Sequence, residues 1–277
     1  MDNLSFFAGV LGNLTAVLVF LSPIETFCRI VRNRSTGEFE SLPYICTLLN
    51  VLLWTYYGVT KPGAYLVASV NAFGIVVESV YIILFLAYAR PEVKVISCSS
   101  IRYTLWHICF RSNSLHGLPY IQYKTARLVV GLDIIAFAAA VLITHFALDG
   151  DVRIDAIGFL GAGWNIVMYA SPLAAMRTVV RTNSVEYMPF FLSLFLFLNA
   201  GIWSFYAVLV KDPFLGVPNA IGFILGIVQL AIYARYRNST NSSSSVDSLL
   251  SSPVDSLLEE GSPRDPLLLP SPLPPIF

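Results

Sequence analysis

The chain has 277 residues, of which 56% are hydrophobic and only 12% charged, with 17 basic and 17 acidic side chains. A soluble domain carries about 25% charged residues, so the chain lies well outside the soluble norm, and with a net charge of zero nothing suggests a nucleic-acid partner. The four cysteines, Cys28, Cys46, Cys98 and Cys109, form no Cys-x-x-Cys pair and give neither a disulfide framework nor a zinc pattern.

The start, Met1-Asp2-Asn3-Leu4-Ser5, lacks the basic region of a cleaved signal peptide, so the first apolar block reads as a retained helix. Apolar blocks of about 20 residues, the length that crosses a bilayer, predict seven spans near 6–28, 43–60, 66–89, 127–147, 156–178, 188–210 and 215–235. Arg29, Arg32 and Arg34 follow the first span, Arg90, Lys94, Arg102, Arg111 and Lys124 the third, Arg177 and Arg181 the fifth, Arg235 and Arg237 the seventh. The other face holds only Lys61, Arg153 and Lys211. The positive-inside rule then places the N-terminus on the non-cytosolic side and the C-terminus in the cytosol.

Residues 189–222 echo residues 43–74. Pro43, Asn50, Trp54 and Asn71-Ala72-Phe73-Gly74 are matched by Pro189, Asn199, Trp203 and Asn219-Ala220-Ile221-Gly222. The echo extends to Ser22-Pro23 with Ser171-Pro172, Val31-Arg32 with Val180-Arg181, and Tyr56-Tyr57 with Phe205-Tyr206. Spans one to three and five to seven therefore form two repeats. Three-helix units joined directly would point opposite ways, so the fourth span restores direction and the repeats are parallel. The expected fold is an all-α membrane protein of two three-helix bundles, 6–89 and 156–237, joined by a linker helix at 127–147, with a pore between them.

Two stretches stand apart. The cytosolic loop 90–126 contains a segment, 95–123, that is too polar for a span and mixes Cys98, Trp106, His107, Cys109, His116 and Pro119. It reads as a poorly ordered insertion, with no metal-ligand spacing. From 238 to 277 a serine run, the repeated Val-Asp-Ser-Leu-Leu at 246 and 254, and crowded prolines read as a disordered cytosolic tail. Its leucine pairs lack the acidic residue upstream that a sorting signal carries. The glycosylation triplets at Asn13 and Asn238 fall in a span and on the cytosolic side, so neither is expected to be used.

Each Asn50–Trp54 and Asn199–Trp203 pair lies one helical turn apart on a single face. Amides are costly in hydrocarbon unless hydrogen-bonded. A ligand pocket uses both groups, since an indole stacks on a sugar ring and amides bond its hydroxyls; interfacial packing is the bland reading for the indoles, and helix capping for Asn71 and Asn219. Pro23 and Pro172 lie inside helices, as a structural kink or as a hinge; Pro43 and Pro189 fit the first turn of a helix. Glu78 and Asp133 are the acids best placed in spans, but neither is matched in the other repeat, which argues against coupled proton transport. No phosphate loop, zinc motif or Ser/His/Asp arrangement is present, so no enzyme and no cofactor are expected.

These motifs resemble the SWEET sugar transporters over about residues 6–237, apart from 95–123. The plant vacuolar subgroup is nearest, through Leu21-Ser22-Pro23-Ile24-Glu25-Thr26-Phe27, Ser41-Leu42-Pro43-Tyr44 and Leu53-Trp54-Thr55-Tyr56-Tyr57-Gly58. The resemblance implies energy-independent, bidirectional transport of sugar by two triple-helix bundles and a linker. It puts the family's proline tetrad on Pro23, Pro43, Pro172 and Pro189, sugar binding on Trp54, Asn71, Trp203 and Asn219, and selectivity on Val19, Asn50, Met168 and Asn199. Asparagine at the selectivity positions implies monosaccharides such as glucose or fructose rather than sucrose. The segment 95–123 departs from the family pattern and looks like unspliced intron sequence. The implied partners are sugar, the lipid bilayer and further copies of the chain or related transporters; the implied membrane is the plasma or vacuolar membrane. The alternatives are a heptahelical receptor, which has no use for matched halves, and a proton-coupled carrier of PQ-loop type.

Overall fold

A computed structural model describes residues 2–37, 39–89, 120–185 and 188–251. Among the described residues, seven helices are long and apolar enough to cross a membrane: Asn3–Asn33, Leu42–Thr60, Tyr65–Tyr88, Gln122–Ala147, Gly150–Thr182, Phe190–Leu209 and Pro213–Arg237. They are the first to seventh spans below. Inside hydrocarbon every backbone polar group must be paired within the segment, so runs of this length and apolarity have only the helix open to them as single segments.

The first and fifth spans are each broken toward their ends. The first consists of Asn3–Leu21 and Ile24–Asn33, the fifth of Gly150–Met168 and Ala170–Thr182. The two breaks have the same geometry, a tight turn in which Ser22 N–H bonds the Val19 carbonyl at 3.2 Å and Tyr169 N–H bonds the Ile166 carbonyl at 3.2 Å. Pro23 caps the helix after the first break, and Pro172 sits in the opening turn after the second, where a missing N–H costs nothing. Both short helices stop at a left-handed residue, Arg34 at φ 49° and Asn183 at φ 52°, the usual way a helix closes its last carbonyls.

In each repeat the third helix lies between the first and second. The third span packs on the first and second, and the seventh on the fifth and sixth. Between the units the first span packs on the sixth, and the fifth on the second. The fourth span lies against the second and third and touches the fifth. It carries a π-helical stretch, Val129–Ala136, in its middle.

Three boundaries depart most from expectation. The linker helix begins at Tyr120, not 127, inside the segment read as an insertion. Gln122 explains this: its amide donates to the carbonyls of Leu86 at 2.7 Å and Ala89 at 3.0 Å, satisfying acceptors that the third span leaves open at its end. Thr125 and Ser41 share a buried hydroxyl hydrogen bond of 2.7 Å beside it. The expected tail from 238 is helical through Ser251, continuing the seventh span. Extending a formed helix costs little compared with starting one, and the first breaker in its way is Pro253, which disfavours helical backbone at the residue before it. The fifth span also starts earlier than 156, at Gly150, after an extended Asp149. The rest of the expected insertion, 95–119, and of the tail, 252–277, with Cys98, His107, Cys109 and His116, lies outside the described residues.

Candidate functional site

Trp54 and Trp203 are buried, at 4% and 6% exposure, and belong to one apolar cluster that also holds Tyr57 and Tyr206. Each indole meets the tyrosine one turn on edge-to-face, with centroids 5.4 Å apart for Trp54–Tyr57 and 5.3 Å for Trp203–Tyr206. Each also lies against the opposite unit. A methyl group placed on Gly12 of the first span would sit 2.9 Å from Trp203 Cε2, and one on Gly161 of the fifth span 3.2 Å from Trp54 Cε2. Gly12 and Gly161 occupy equivalent places in the two repeats, and only a residue without a side chain lets the helix approach the ring so closely. The indoles are thus at the seam between the units and not in an interfacial belt.

The asparagines divide into two sets. Asn71 and Asn219 are half-buried, and each donates its amide to a carbonyl one turn back, Val67 and Leu215, both at 2.8 Å. Neither caps a helix start. Asn199 meets the Thr15 hydroxyl of the first span at 3.1 Å, across the seam. Asn50, its repeat equivalent, has a buried Oδ1 without a hydrogen-bond partner. Val19 and Met168 are half-buried in the last turn before the break of the first and fifth spans. Pro43 is the second residue of the second span, and Pro189 immediately precedes the sixth. The prolines therefore mark breaks and starts, and of the expected residues it is the indoles and Asn199 whose seam contacts the structure gives directly.

Sequence reading missed a polar latch at one end of the seam. Lys61 Nζ lies 2.6 Å from Asp212 Oδ2 and 2.9 Å from the Tyr57 hydroxyl, which itself donates to Asp212 Oδ2 at 2.8 Å. Lys61 and Tyr57 end the second span, and Asp212 precedes the seventh, so the cluster joins the two units. Asp212 is 1% exposed in its side chain, and its second oxygen accepts the N–H groups of Phe214 at 3.1 Å and Leu215 at 3.2 Å, capping the seventh span. The available signal was Lys61 itself, a rare cation on that face. Beside the latch is a vestibule of about 310 Å³ lined by Asp2, Ser5, Lys61, Tyr206 and Asp212 among others.

A family model described as a sugar efflux transporter for intercellular exchange matches residues 6–93 and 155–241, the two repeats in turn. The chain belongs to the MtN3/SWEET family. The SWEET proteins similar to it include Bidirectional sugar transporter SWEET17 of Arabidopsis thaliana, 48% identical over 86% of this chain and 88% of the relative. Bidirectional sugar transporter SWEET16 of Oryza sativa subsp. japonica is 48% identical over 86% of this chain and 64% of the relative, so the chain spans just under two thirds of that protein. A solved eukaryotic SWEET transporter superimposes with a TM-score of 0.71 at 36% identity, covering 84% of this chain and 97% of that one. The all-helical, seven-span architecture is therefore that of a SWEET, a carrier and not an enzyme.

Within this SWEET the acids of the spans stay apart from the seam cluster. Glu78 is buried with Oε2 unpartnered, and Asp133, in the π-helical stretch, is buried with both oxygens unpartnered. Their position in the first unit and the linker has no equivalent in the second unit, where Gly226 stands at the place of Glu78.

Proposed function

We propose that this SWEET moves monosaccharides such as glucose or fructose in both directions by alternating access. The observation that carries the reading is the reciprocal packing of Trp54 on Gly161 and Trp203 on Gly12, which sets two aromatic faces at the seam between units that must part for a substrate to pass. The names of the relatives, bidirectional sugar transporters, support sugar as the class. Trp54 and Trp203 supply stacking, and Asn71 and Asn219 hydrogen bonds. Pro23, Pro43, Pro172 and Pro189 act where helices break or begin, and the Tyr57–Lys61–Asp212 latch closes the non-cytosolic end. The resident membrane is the vacuolar or plasma membrane, with the N-terminus non-cytosolic, the C-terminus cytosolic, and more than one copy, or a related transporter, per assembly.

Size selection falls to Asn50 and Asn199 with Val19 and Met168. An asparagine is larger than a serine, and two of them narrow a shared cavity, so a second sugar ring is rejected by clash. The test is the ratio of initial sucrose to glucose uptake in cells lacking their own carriers. Wild type is expected to favour glucose, and Asn50→Ser with Asn199→Ser to raise the ratio about tenfold, the effect of roughly 1.4 kcal/mol. A wild type that prefers sucrose, or a ratio unmoved by the double change, refutes it.

The buried, unpartnered oxygens of Glu78 and Asp133 favour a second reading, proton coupling. Uptake that collapses when the pH gradient is removed would select it; uptake independent of the gradient selects the uniporter.

A further inference from the structure

The two asparagines assigned to size selection are equivalent by repeat but not by environment. Thr15 Oγ1 of the first span lies 3.1 Å from Asn199 Oδ1 of the sixth, and also 3.0 Å and 3.2 Å from the carbonyls of Gly12 and Leu11 in its own helix. A hydroxyl has one proton and two acceptor lone pairs. Because the facing atom is the amide oxygen, which only accepts, Thr15 donates to Asn199 Oδ1 and shares that proton with the carbonyls of its own helix, so one end of the Asn199 side chain is held from the opposite unit.

The repeat partner of Thr15 is Trp164 of the fifth span. Its indole N–H donates to the Cys46 carbonyl at 2.9 Å, one helical turn before Asn50, and leaves Asn50 alone. Asn50 Oδ1 remains buried with no partner. Leaving a buried acceptor unpaired is costly, and a sugar hydroxyl would remove that cost.

We propose that Thr15 is a specificity-determining residue, which positions the Asn199 amide across the seam while Asn50 is left as the unoccupied acceptor for the substrate. The inference rests on the sugar-carrier reading above. It makes the site lopsided: one unit offers a fixed amide whose orientation reads hydroxyl stereochemistry, and the other an acceptor free to follow the ring. Removing the Thr15 hydroxyl lets the Asn199 amide turn, and discrimination between epimers falls because a site built to bond a particular hydroxyl rejects its analogue only while its own groups are held.

The experiment measures KM for glucose and galactose in carrier-deficient cells, as a ratio, which is independent of how much protein reaches the membrane. Thr15→Val keeps the volume and removes the hydroxyl; it is expected to change the ratio about 3- to 10-fold. Thr15→Ser keeps the hydroxyl and is expected to retain the wild-type ratio, which a packing role for the threonine methyl would not predict. In an Asn199→Ala background Thr15→Val is expected to add nothing, whereas in an Asn50→Ala background its effect persists, since the coupling is to Asn199 alone. An unchanged ratio in Thr15→Val, or an effect that survives in Asn199→Ala, overturns the inference and leaves the carrier reading standing. A wild type that carries no sugar from a panel including sucrose and fructose overturns the carrier reading, and this inference with it.

Discussion

At the scale of single residues, the indoles at the seam do two things at once. Each fills space against a glycine of the other unit, and in the proposed carrier each would stack on the C–H face of a sugar ring. Truncation removes both. Core Trp→Ala changes cost about 3–5 kcal/mol through lost burial and the cavity left behind, and some of that falls on the contact between units and some on substrate. Trp54→Ala and Trp203→Ala are each expected to lower transport about 10- to 100-fold, the loss of roughly 1.4 to 2.8 kcal/mol of binding, in protein still present in the membrane. Sugar uptake normalised to membrane protein checks this, with Trp54→Phe and Trp203→Phe expected to keep part of the activity because a ring face remains. Uptake at the wild-type level in either alanine variant removes the indoles from the site.

At the scale of elements, the third and fourth spans are closed onto each other by Gln122. Its amide sits 3.0 Å from the Ala89 carbonyl, so the chain leaves the third span and returns to the fourth at the same place. The residues between them close a loop whose ends are already joined, and shortening such a loop costs little. Deleting 95–119 with Gln122 retained is expected to preserve or raise sugar uptake, whereas deleting 95–123, or changing Gln122→Ala, is expected to lower the amount of folded carrier. Surface protein and uptake for the three variants decide it; a loss in the 95–119 deletion equal to that of the longer one would show that the loop itself is structural. Seven spans were legible because the bilayer demands apolar length, and the helix breaks because proline announces them. The true start of the linker was hidden, since Gln122 acts through carbonyls at the end of a distant helix and polarity alone classed it with the loop. The seam asparagines were legible as unusual residues in apolar runs; that Asn199 is tied by Thr15 and Asn50 is not was invisible, because the tie links residues 184 positions apart.

At the scale of the whole molecule, the two units are near-equivalent in helix order, yet one end of their seam is held by an ion pair that the repeat does not reproduce: Val210 and Ala64 stand where the second copy of Lys61 and Asp212 would be. In the proposed alternating access this end opens and closes as the units part, and the latch then biases the balance between the two states. A ligand or substitution shifts such a balance only by the free energy it removes from one state. Asp212→Asn keeps an oxygen for the Phe214 and Leu215 amides and removes the charge that faces Lys61 and Tyr57. Leaving a buried cation without its partner is costly; Lys61 is 28% exposed, which reduces the penalty, and about 1–3 kcal/mol is expected, a shift of roughly 5- to 150-fold toward the open form. Lys61→Met retains the apolar stem and removes the same pair from the other side. A reporter cysteine at Ser5, which lines the vestibule and is buried at 3% exposure, placed in a chain whose four native cysteines are serine, reads the opening through its reaction with a membrane-impermeant maleimide. Labelling is expected to quicken in both variants and to slow again when Asp212→Asn is combined with Lys61→Asn, since two neutral amides can bond each other and the Tyr57 hydroxyl. Labelling at the parental rate in both single variants would mean that the Tyr57–Lys61–Asp212 cluster holds the loop of the seventh span and does not control the seam.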